Sequence, residues 1–137
     1  MSDAETMKPR PRIGPDNAPL FAGFREGVLR LPSCTECGKP HLPPGPVCPF
    51  CLSDRLEWRA ASGLGTVSTF VVVHKVWFPA FADDVPYNVI QVELDEGPRI
   101  TARLDDAGPI AVGDRVRADF ARVDDALTML VFRRAEG

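Results

Sequence analysis

Two pairs of cysteines constrain this chain more than any other feature of its sequence. Two residues separate Cys34 from Cys37, two separate Cys48 from Cys51, and the segment between the pairs is rich in proline. A tight turn points both sulfur atoms of such a pair the same way, so two pairs supply the four thiolates of a closed tetrahedral site. The spacing therefore predicts one structural Zn²⁺ held by Cys34, Cys37, Cys48 and Cys51.

Other interpretations of these cysteines stay open at this point. Iron suits the same ligands, His41 lies between the pairs as an alternative ligand, and the sequence also permits two disulfides or four unrelated thiols. The first twelve residues have no apolar core after their charges, which predicts a cytoplasmic chain in which disulfides are uncommon. Four cysteines leave no open coordination position, so the metal is expected to hold the fold and not to catalyse.

Composition and charge exclude several classes of function. The 137 residues carry a formal net charge of −3, which disfavours binding to nucleic acid, because that binding draws its affinity from Lys and Arg. No apolar stretch is long enough for a membrane helix. The cysteines are assigned to metal and His74 has no motif to pair with, so we expect no catalytic residues and no enzyme activity in the chain itself.

The apolar pattern predicts a short helix ahead of the cysteines. Asn17 is a plausible helix cap, Leu20, Phe21 and Phe24 recur at helical spacing, and Gly27 ends the pattern. So short a helix is not stable alone. It must pack on the zinc module, on the rest of the chain or on another protein.

The second half of the chain is predicted to be a small barrel. Alternation of apolar and polar residues is typical of half-buried antiparallel strands. Five such strands within about seventy residues favour a closed barrel of the OB type. The predicted strands are Thr66 to Trp77, Tyr87 to Asp95, Arg99 to Leu104, Arg115 to Val123 and Leu127 to Arg133.

The predicted organisation has three parts. Residues 1–16 form a mobile tail, residues 17–61 the helix with a rubredoxin-like zinc ribbon, and residues 62–137 a five-stranded OB-fold barrel, so the fold class is mainly β. Lys8, Arg10 and Arg12 of the tail have the charge to meet an acidic partner, although a disordered solubilising tail is the simpler interpretation.

An aromatic loop joins the first two predicted barrel strands. Residues 77–87 hold Trp77, Phe78, Phe81 and Tyr87. So many large aromatic side chains in a loop either fold back into a small core or face a ligand or partner, and the sequence leaves both interpretations open.

The order of these motifs resembles that of a known family. It is carried by F-x-x-F-R-E-G-V-L at 21–29, the two cysteine pairs, S-G-L-G-T-V at 62–67, P-A-F at 79–81, V-P-Y at 85–87, V-E-L-D-E-G-P-R at 92–99 and V-G-D-R-V at 112–116. Over residues 17–134 the chain is similar to the acyl-CoA-associated zinc-ribbon/OB-fold family, long catalogued as a domain of unknown function. The tryptophan usual near the start of the helix is missing here.

The resemblance implies a function. Members of this family are non-catalytic partners of thiolase-like enzymes, where they bridge subunits and help to form the acyl-CoA site. By this resemblance the chain is expected to dock on a thiolase-like enzyme subunit, with acyl-CoA as a candidate ligand. A nucleic-acid-binding OB module is the alternative, and an independent acyl-CoA enzyme is a third. The candidate contact residues are Leu20, Phe21, Phe24, Phe78, Phe81 and Tyr87.

Overall fold

The computed structural model describes residues 8–106 and 108–135 of the chain. In chain order its elements are α1 (Ala18–Glu26), β1 (Arg30–Cys34), β2 (Leu56–Ala60), β3 (Leu64–Val73), a single 3₁₀ turn (Pro79–Phe81), β4 (Tyr87–Leu94), β5 (Arg99–Leu104), β6 (Arg115–Arg122) and β7 (Thr128–Arg134). The prediction of a mainly β chain with one short N-terminal helix is confirmed. Residues 1–7 of the predicted tail lie outside the described residues.

Helix α1 begins and ends where the sequence indicates. Asn17 is the N-cap residue, although its side chain accepts a hydrogen bond from the Gly14 N–H and donates one to the Arg12 carbonyl, outside the helix. Gly27 ends the helix with φ at 78°, a left-handed conformation that glycine adopts without strain. The helix packs on β1 of the zinc ribbon and on β6 and β7 of the barrel, so it uses both of the supports predicted within the chain.

Strands β1 and β2 form the antiparallel ribbon that carries the cysteines. Their register runs from Arg30 opposite Ala60 to Cys34 opposite Leu56. Leu31 of this ribbon is buried in the same core cluster as the barrel residues. The ribbon is therefore fixed to the barrel by shared apolar packing.

The remaining five strands close into a barrel in the order β3-β4-β5-β7-β6. Closure confirms the OB-type prediction, and alternation places Ile90, Val92, Val116 and Phe132 in the interior, each with 0% of its surface exposed. One pairing differs from the expected antiparallel pattern, because β5 and β7 run parallel where Leu104 faces Phe132. Parallel strands are brought together by the chain path, which local alternation does not encode.

Strand β3 extends beyond the closed part of the barrel. It pairs with β6 only from Leu64 to Thr66, and its register with β4 shifts between Val67 and Thr69. From Thr69 to Val73 the structure pairs β3 with β4 alone. We call residues 69–73 and the aromatic loop 77–87 together the arm.

Candidate metal centre and docking surface

The ribbon brings the four cysteine sulfur atoms into one cluster. All four sulfurs lie within 4.8 Å of one another, with 3.5 Å between those of Cys34 and Cys51 and 3.6 Å between those of Cys37 and Cys48. A disulfide needs about 2.05 Å between sulfurs, and the four cysteines are free, so paired disulfides do not describe this site.

The donor set fits a tetrahedral metal ion. Four sulfurs at about 2.3 Å from a central Zn²⁺ stand roughly 3.8 Å apart, close to the separations in the cluster. Cys34 and Cys48 are buried while Cys37 and Cys51 are exposed, so the cluster lies at the surface of the ribbon. The cluster is therefore a metal-binding site, and its sulfur ligands suit zinc.

Backbone amides support the thiolate form of the buried cysteines. The Cys37 N–H donates to the Cys34 sulfur at 3.4 Å, and this bond is the largest cause that lowers the pKa of Cys34 to about 6. At Cys48 burial acts against ionisation, but the N–H groups of Cys51 and Phe50 lower its pKa. The Ser53 N–H acts to lower the pKa of Cys51, but the sulfur of Cys34, burial and the other sulfurs together raise it to about 12. A divalent cation would relieve this repulsion between thiolates.

The alternative ligand His41 lies outside the sulfur cluster. Among the described residues the group able to hold a metal contains the four cysteines and not His41. The His41 side chain is 4% exposed, and neither ring nitrogen has a hydrogen-bond partner in the protein. With Phe50 and Gly97 it lines a cleft of about 330 Å³ between the ribbon and the β4–β5 turn.

The three candidate contact residues of α1 have different environments. Leu20 and Phe24 are buried in the core, whereas Phe21 is half-buried and packs edge-on against Phe24 at a centroid distance of 5.4 Å. Phe24 also lies 5.9 Å from the ring of Phe120 on β6. The apolar face of α1 is thus occupied by the barrel, and only Phe21 of the three retains surface for a partner.

The aromatic loop is partly a small core and partly an outward-facing surface, so both interpretations that the sequence left open apply to it. Phe81 and Tyr87 are half-buried, with ring centroids 5.8 Å apart, and the Arg103 guanidinium lies 4.3 Å from the Tyr87 ring. Phe78 is 52% exposed, and its ring centroid lies 6.1 Å from that of Phe81. Part of the loop forms a small core, and part of it faces outward.

The most exposed aromatic side chain of the arm is absent from the candidate contact set. Trp77 is 63% exposed, and its ring is covered only on one side by the Lys75 amine at 4.1 Å. Val71 and Val72 on the neighbouring β3 segment are also exposed. A strand with one solvated face alternates apolar and polar residues, whereas Val71, Val72 and Val73 are consecutive and put apolar side chains on both faces of β3. Such a run is the sequence signal of a segment that projects from the barrel.

No helix within the two described ranges is long and apolar enough to cross a membrane.

The fold and the sulfur cluster define the class as a zinc-ribbon protein with an OB-fold domain. A family model described as "ChsH2, rubredoxin-like zinc ribbon domain" matches residues 21–57, and one described as "ChsH2, C-terminal OB-fold domain" matches residues 58–121. The chain belongs to the family of these zinc-ribbon and OB-fold domains, which together match residues 21–121. The predicted family resemblance is confirmed.

Named relatives differ in length and in name. The chain is 38% identical over 133 residues to a "Probable enoyl-CoA hydratase alpha subunit" of Thermomonospora curvata, covering 96% of this chain but only 41% of that protein. It is 36% identical over 93 residues to a "DUF35 domain-containing scaffold protein" of Methanothermobacter thermautotrophicus, covering 66% of this chain and 69% of that one.

Solved structures show the same fold. A chain of the structure named "Ltp2-ChsH2(DUF35) aldolase" superposes with a TM-score of 0.84 at 38% identity, over 93% of this chain and 100% of that one. A DUF35 protein of unknown function from Sulfolobus solfataricus superposes with a TM-score of 0.61 at 14% identity, over 89% of this chain and 87% of that one. The second likeness shows the fold alone.

Proposed function

We propose that this chain is a non-catalytic subunit of an acyl-CoA enzyme complex. In that complex it docks on a thiolase-like enzyme and helps to form or bridge the acyl-CoA site. The observation that carries the proposal is the likeness to the Ltp2-ChsH2(DUF35) aldolase, whose matched chain is covered completely at 38% identity. Relatives called scaffold proteins support the accessory role, and relatives called hydratase alpha subunits support the link to acyl-CoA chemistry.

The metal is proposed to be a structural Zn²⁺ bound by the four cysteines. Four thiolates close the coordination sphere and leave no position for a substrate or water. The ion would hold the turns that follow β1 and precede β2, and the ribbon would hold α1 and the barrel together through Leu29 and Leu31. The proposed role of the ion is therefore to maintain the shape in which the subunit docks.

The arm is the proposed docking surface for the partner enzyme. Val71, Trp77 and Phe78 are 57%, 63% and 52% exposed, and they lie on one hairpin beyond the closed barrel. Apolar side chains grouped in this way mark protein interaction sites. The edge of β3 opposite β4 also offers backbone donors and acceptors from Thr69 to Val73, which suits an extended segment of the partner.

The remaining candidates have supporting positions in this surface. Phe81 packs against Phe78 and Tyr87 packs against Phe81. We expect both residues to support docking by holding the shape of the arm, and their exposed edges to contact the partner. Phe21 on α1 is a second, separate contact candidate.

Charges on the barrel favour a protein partner over the nucleic-acid alternative. Four arginines of the barrel each lie within 4.0 Å of an aspartate of the same chain: Arg103, Arg115, Arg133 and Arg134. Their guanidinium groups are therefore already paired, whereas nucleic-acid binding needs such groups to pair with phosphates. The Tyr87 ring already carries the Arg103 guanidinium over its face. Base stacking would have to displace that cation.

The test is retention of proteins from the source cells by the tagged chain at moderate salt, followed by mass spectrometry. A thiolase-like enzyme retained in stoichiometric amount supports the proposal, and its identity names the substrate class. Retention should fall for Trp77→Ala/Phe78→Ala and be unchanged for Val112→Ala, since Val112 is equally exposed (65%) but lies between β5 and β6. Recovery of nucleic acid in place of an enzyme would overturn the proposal.

A further inference from the structure

The segment that precedes α1 is attached to two distant loops by ion pairs. The Lys8 amine lies 2.6 Å from Asp84 in the aromatic loop. The Arg10 guanidinium lies 2.6 Å and 3.4 Å from the two carboxylate oxygens of Asp124, between β6 and β7. The sequence left two interpretations open for these cations, a solubilising tail or contact with an acidic partner, and in the structure the acids that they meet belong to the same chain. We call residues 8–12 the strap.

Asp84 lies at the centre of the strap's contact with the loop. Besides Lys8, the Arg103 guanidinium lies 3.5 Å from its carboxylate, and the side chain is only 24% exposed. Both cations also cover the Phe81 ring, Lys8 at 5.3 Å and Arg103 at 5.7 Å from its centroid. One carboxylate and one aromatic ring are thus held between a strap residue and a barrel residue.

The backbone of the aromatic loop gives it little other support. The backbone hydrogen bonds of residues 77–86 run from Phe81 to Phe78, from Ala82 to Pro79 and from Asp84 to Phe81, all within the loop, and the strand ladder begins at Tyr87, which pairs with Val73. Side-chain contacts must therefore hold the loop against the barrel. Of these, the contacts of Lys8 with Asp84 and with the Phe81 ring link the loop to a segment outside the barrel.

We propose that Lys8 is a positioning residue that fixes the aromatic loop against the barrel. By holding Asp84 and the Phe81 ring, the strap limits the orientations of Phe78, whose ring centroid lies 6.1 Å from that of Phe81. The loop is thereby preorganised before any partner arrives, which reduces the entropy lost on docking. The consequence for docking rests on the proposed function, but the fixation of the loop does not.

The test is cleavage of the full chain by chymotrypsin, which cuts after aromatic residues, at a protease concentration that leaves the barrel intact. Chymotrypsin does not cut the bond after Phe78, because Pro79 follows it. Lys8→Ala should raise the rate of cleavage after Trp77 and Phe81 about two- to fivefold, the range for exposed ion pairs. Lys8→Glu should raise it further through repulsion from Asp84, and Lys8→Arg should restore the original rate. Arg12→Ala is the matched control, because the strap's contacts with the two loops are made by Lys8 and Arg10.

Two results separate this proposal from the proposed function. Equal cleavage of the wild type, Lys8→Ala and Lys8→Glu, at unchanged melting temperature, overturns the positioning role whatever the chain binds. If the cleavage rates follow the expected order but no enzyme binds the wild type, the positioning role stands and the proposed docking fails. If an enzyme does bind, Lys8→Ala should weaken its affinity by a similar factor of about two to five.

Discussion

The sulfur atoms of Cys34 and Cys51 lie 3.5 Å apart although the two residues are 17 positions apart in the chain. The contact joins the end of β1 to the turn ahead of β2 and so closes the ribbon. Thiolates at this separation repel one another unless a cation lies between them. The ribbon's fold and the metal are therefore expected to be lost together.

Cys51→Ser should abolish metal binding and unfold the ribbon. Structural zinc in small modules contributes about 10–16 kcal/mol of apparent binding free energy, comparable with the stability of a whole domain. Elemental analysis should find about one zinc ion per wild-type chain and much less in the variant. Thr35→Ala, in the turn of the other cysteine pair, is the control that should keep the metal. A visible absorption band from ferric thiolate in the wild type would show iron and contradict the zinc assignment.

Gly65→Ala should destabilise the barrel. A Cβ atom at Gly65 would lie 2.5 Å from Cγ1 of Val92 and 2.7 Å from the Glu93 carbonyl oxygen, so β3 and β4 would have to separate. Overpacking of this kind costs about 1–3 kcal/mol. Denaturant unfolding measures the loss. Gly45→Ala meets no atom within 4 Å and should change stability by less than about 0.5 kcal/mol, and equal effects at both sites would refute the packing argument.

Ionised Asp124 should stabilise the folded chain at all pH values except strongly acidic ones. The hydrogen bond from Arg10, together with the Ala126 N–H, lowers the pKa of Asp124 from 3.8 to about 2. A carboxyl whose pKa falls on folding stabilises the folded chain above its unfolded pKa and loses that contribution as the pH falls through its folded pKa. The difference in melting temperature between the wild type and Asp124→Asn should be constant above about pH 5 and fall steadily below it, with most of it lost by about pH 2. A difference that persists at pH 2 would assign the effect to something other than this ionisation.

Truncation of the exposed aromatics should separate binding from folding. Trp77 and Phe78 have more than half of their surface exposed, so Trp77→Ala and Phe78→Ala should leave the melting temperature nearly unchanged. Central aromatic residues of an interface each contribute about 2 kcal/mol or more, which corresponds to a loss in affinity of about 30-fold. Calorimetry with the retained enzyme measures it. Unchanged affinity in both variants would remove the arm from the interface.

Phe81→Ala tests the inner part of the same loop. Its ring contacts Phe78, Tyr87 and two cations, so its removal should disturb the arm and weaken binding while the barrel stays folded. Circular dichroism and calorimetry on one preparation measure both. A collapse of the whole fold, or binding equal to the wild type, would contradict this role.

Local patterns in the sequence predict most of the architecture. The cysteine spacing indicates the metal cluster, the helical pattern around Phe24 predicts α1, and alternation around Val92 predicts the interior of the barrel. These features depend on neighbouring residues, which a sequence displays directly. The ends of the strands are harder to predict, because β3 stops at Val73 and not at Trp77.

Contacts between distant residues escape this kind of prediction. The parallel pairing of Leu104 with Phe132 depends on the path of the whole chain, and so does the ion pair of Lys8 with Asp84. Alternation of apolar and polar residues also shows which residues share a face of β3. It does not show that the strand extends beyond the closed part of the barrel. The exposure of Trp77 follows from that projection, so the proposed docking surface depends on a feature that local alternation does not encode.

The central claim is that the chain docks on an acyl-CoA enzyme and contributes no catalytic group of its own. Size-exclusion chromatography with light scattering, on the chain mixed with the enzyme that it retains, tests docking most directly. The account predicts one complex of fixed stoichiometry that is lost for Trp77→Ala/Phe78→Ala, with no turnover of acyl-CoA by the chain alone. Elution of the chain by itself near its 15.0 kDa mass beside the enzyme, or turnover by the isolated chain, would contradict it.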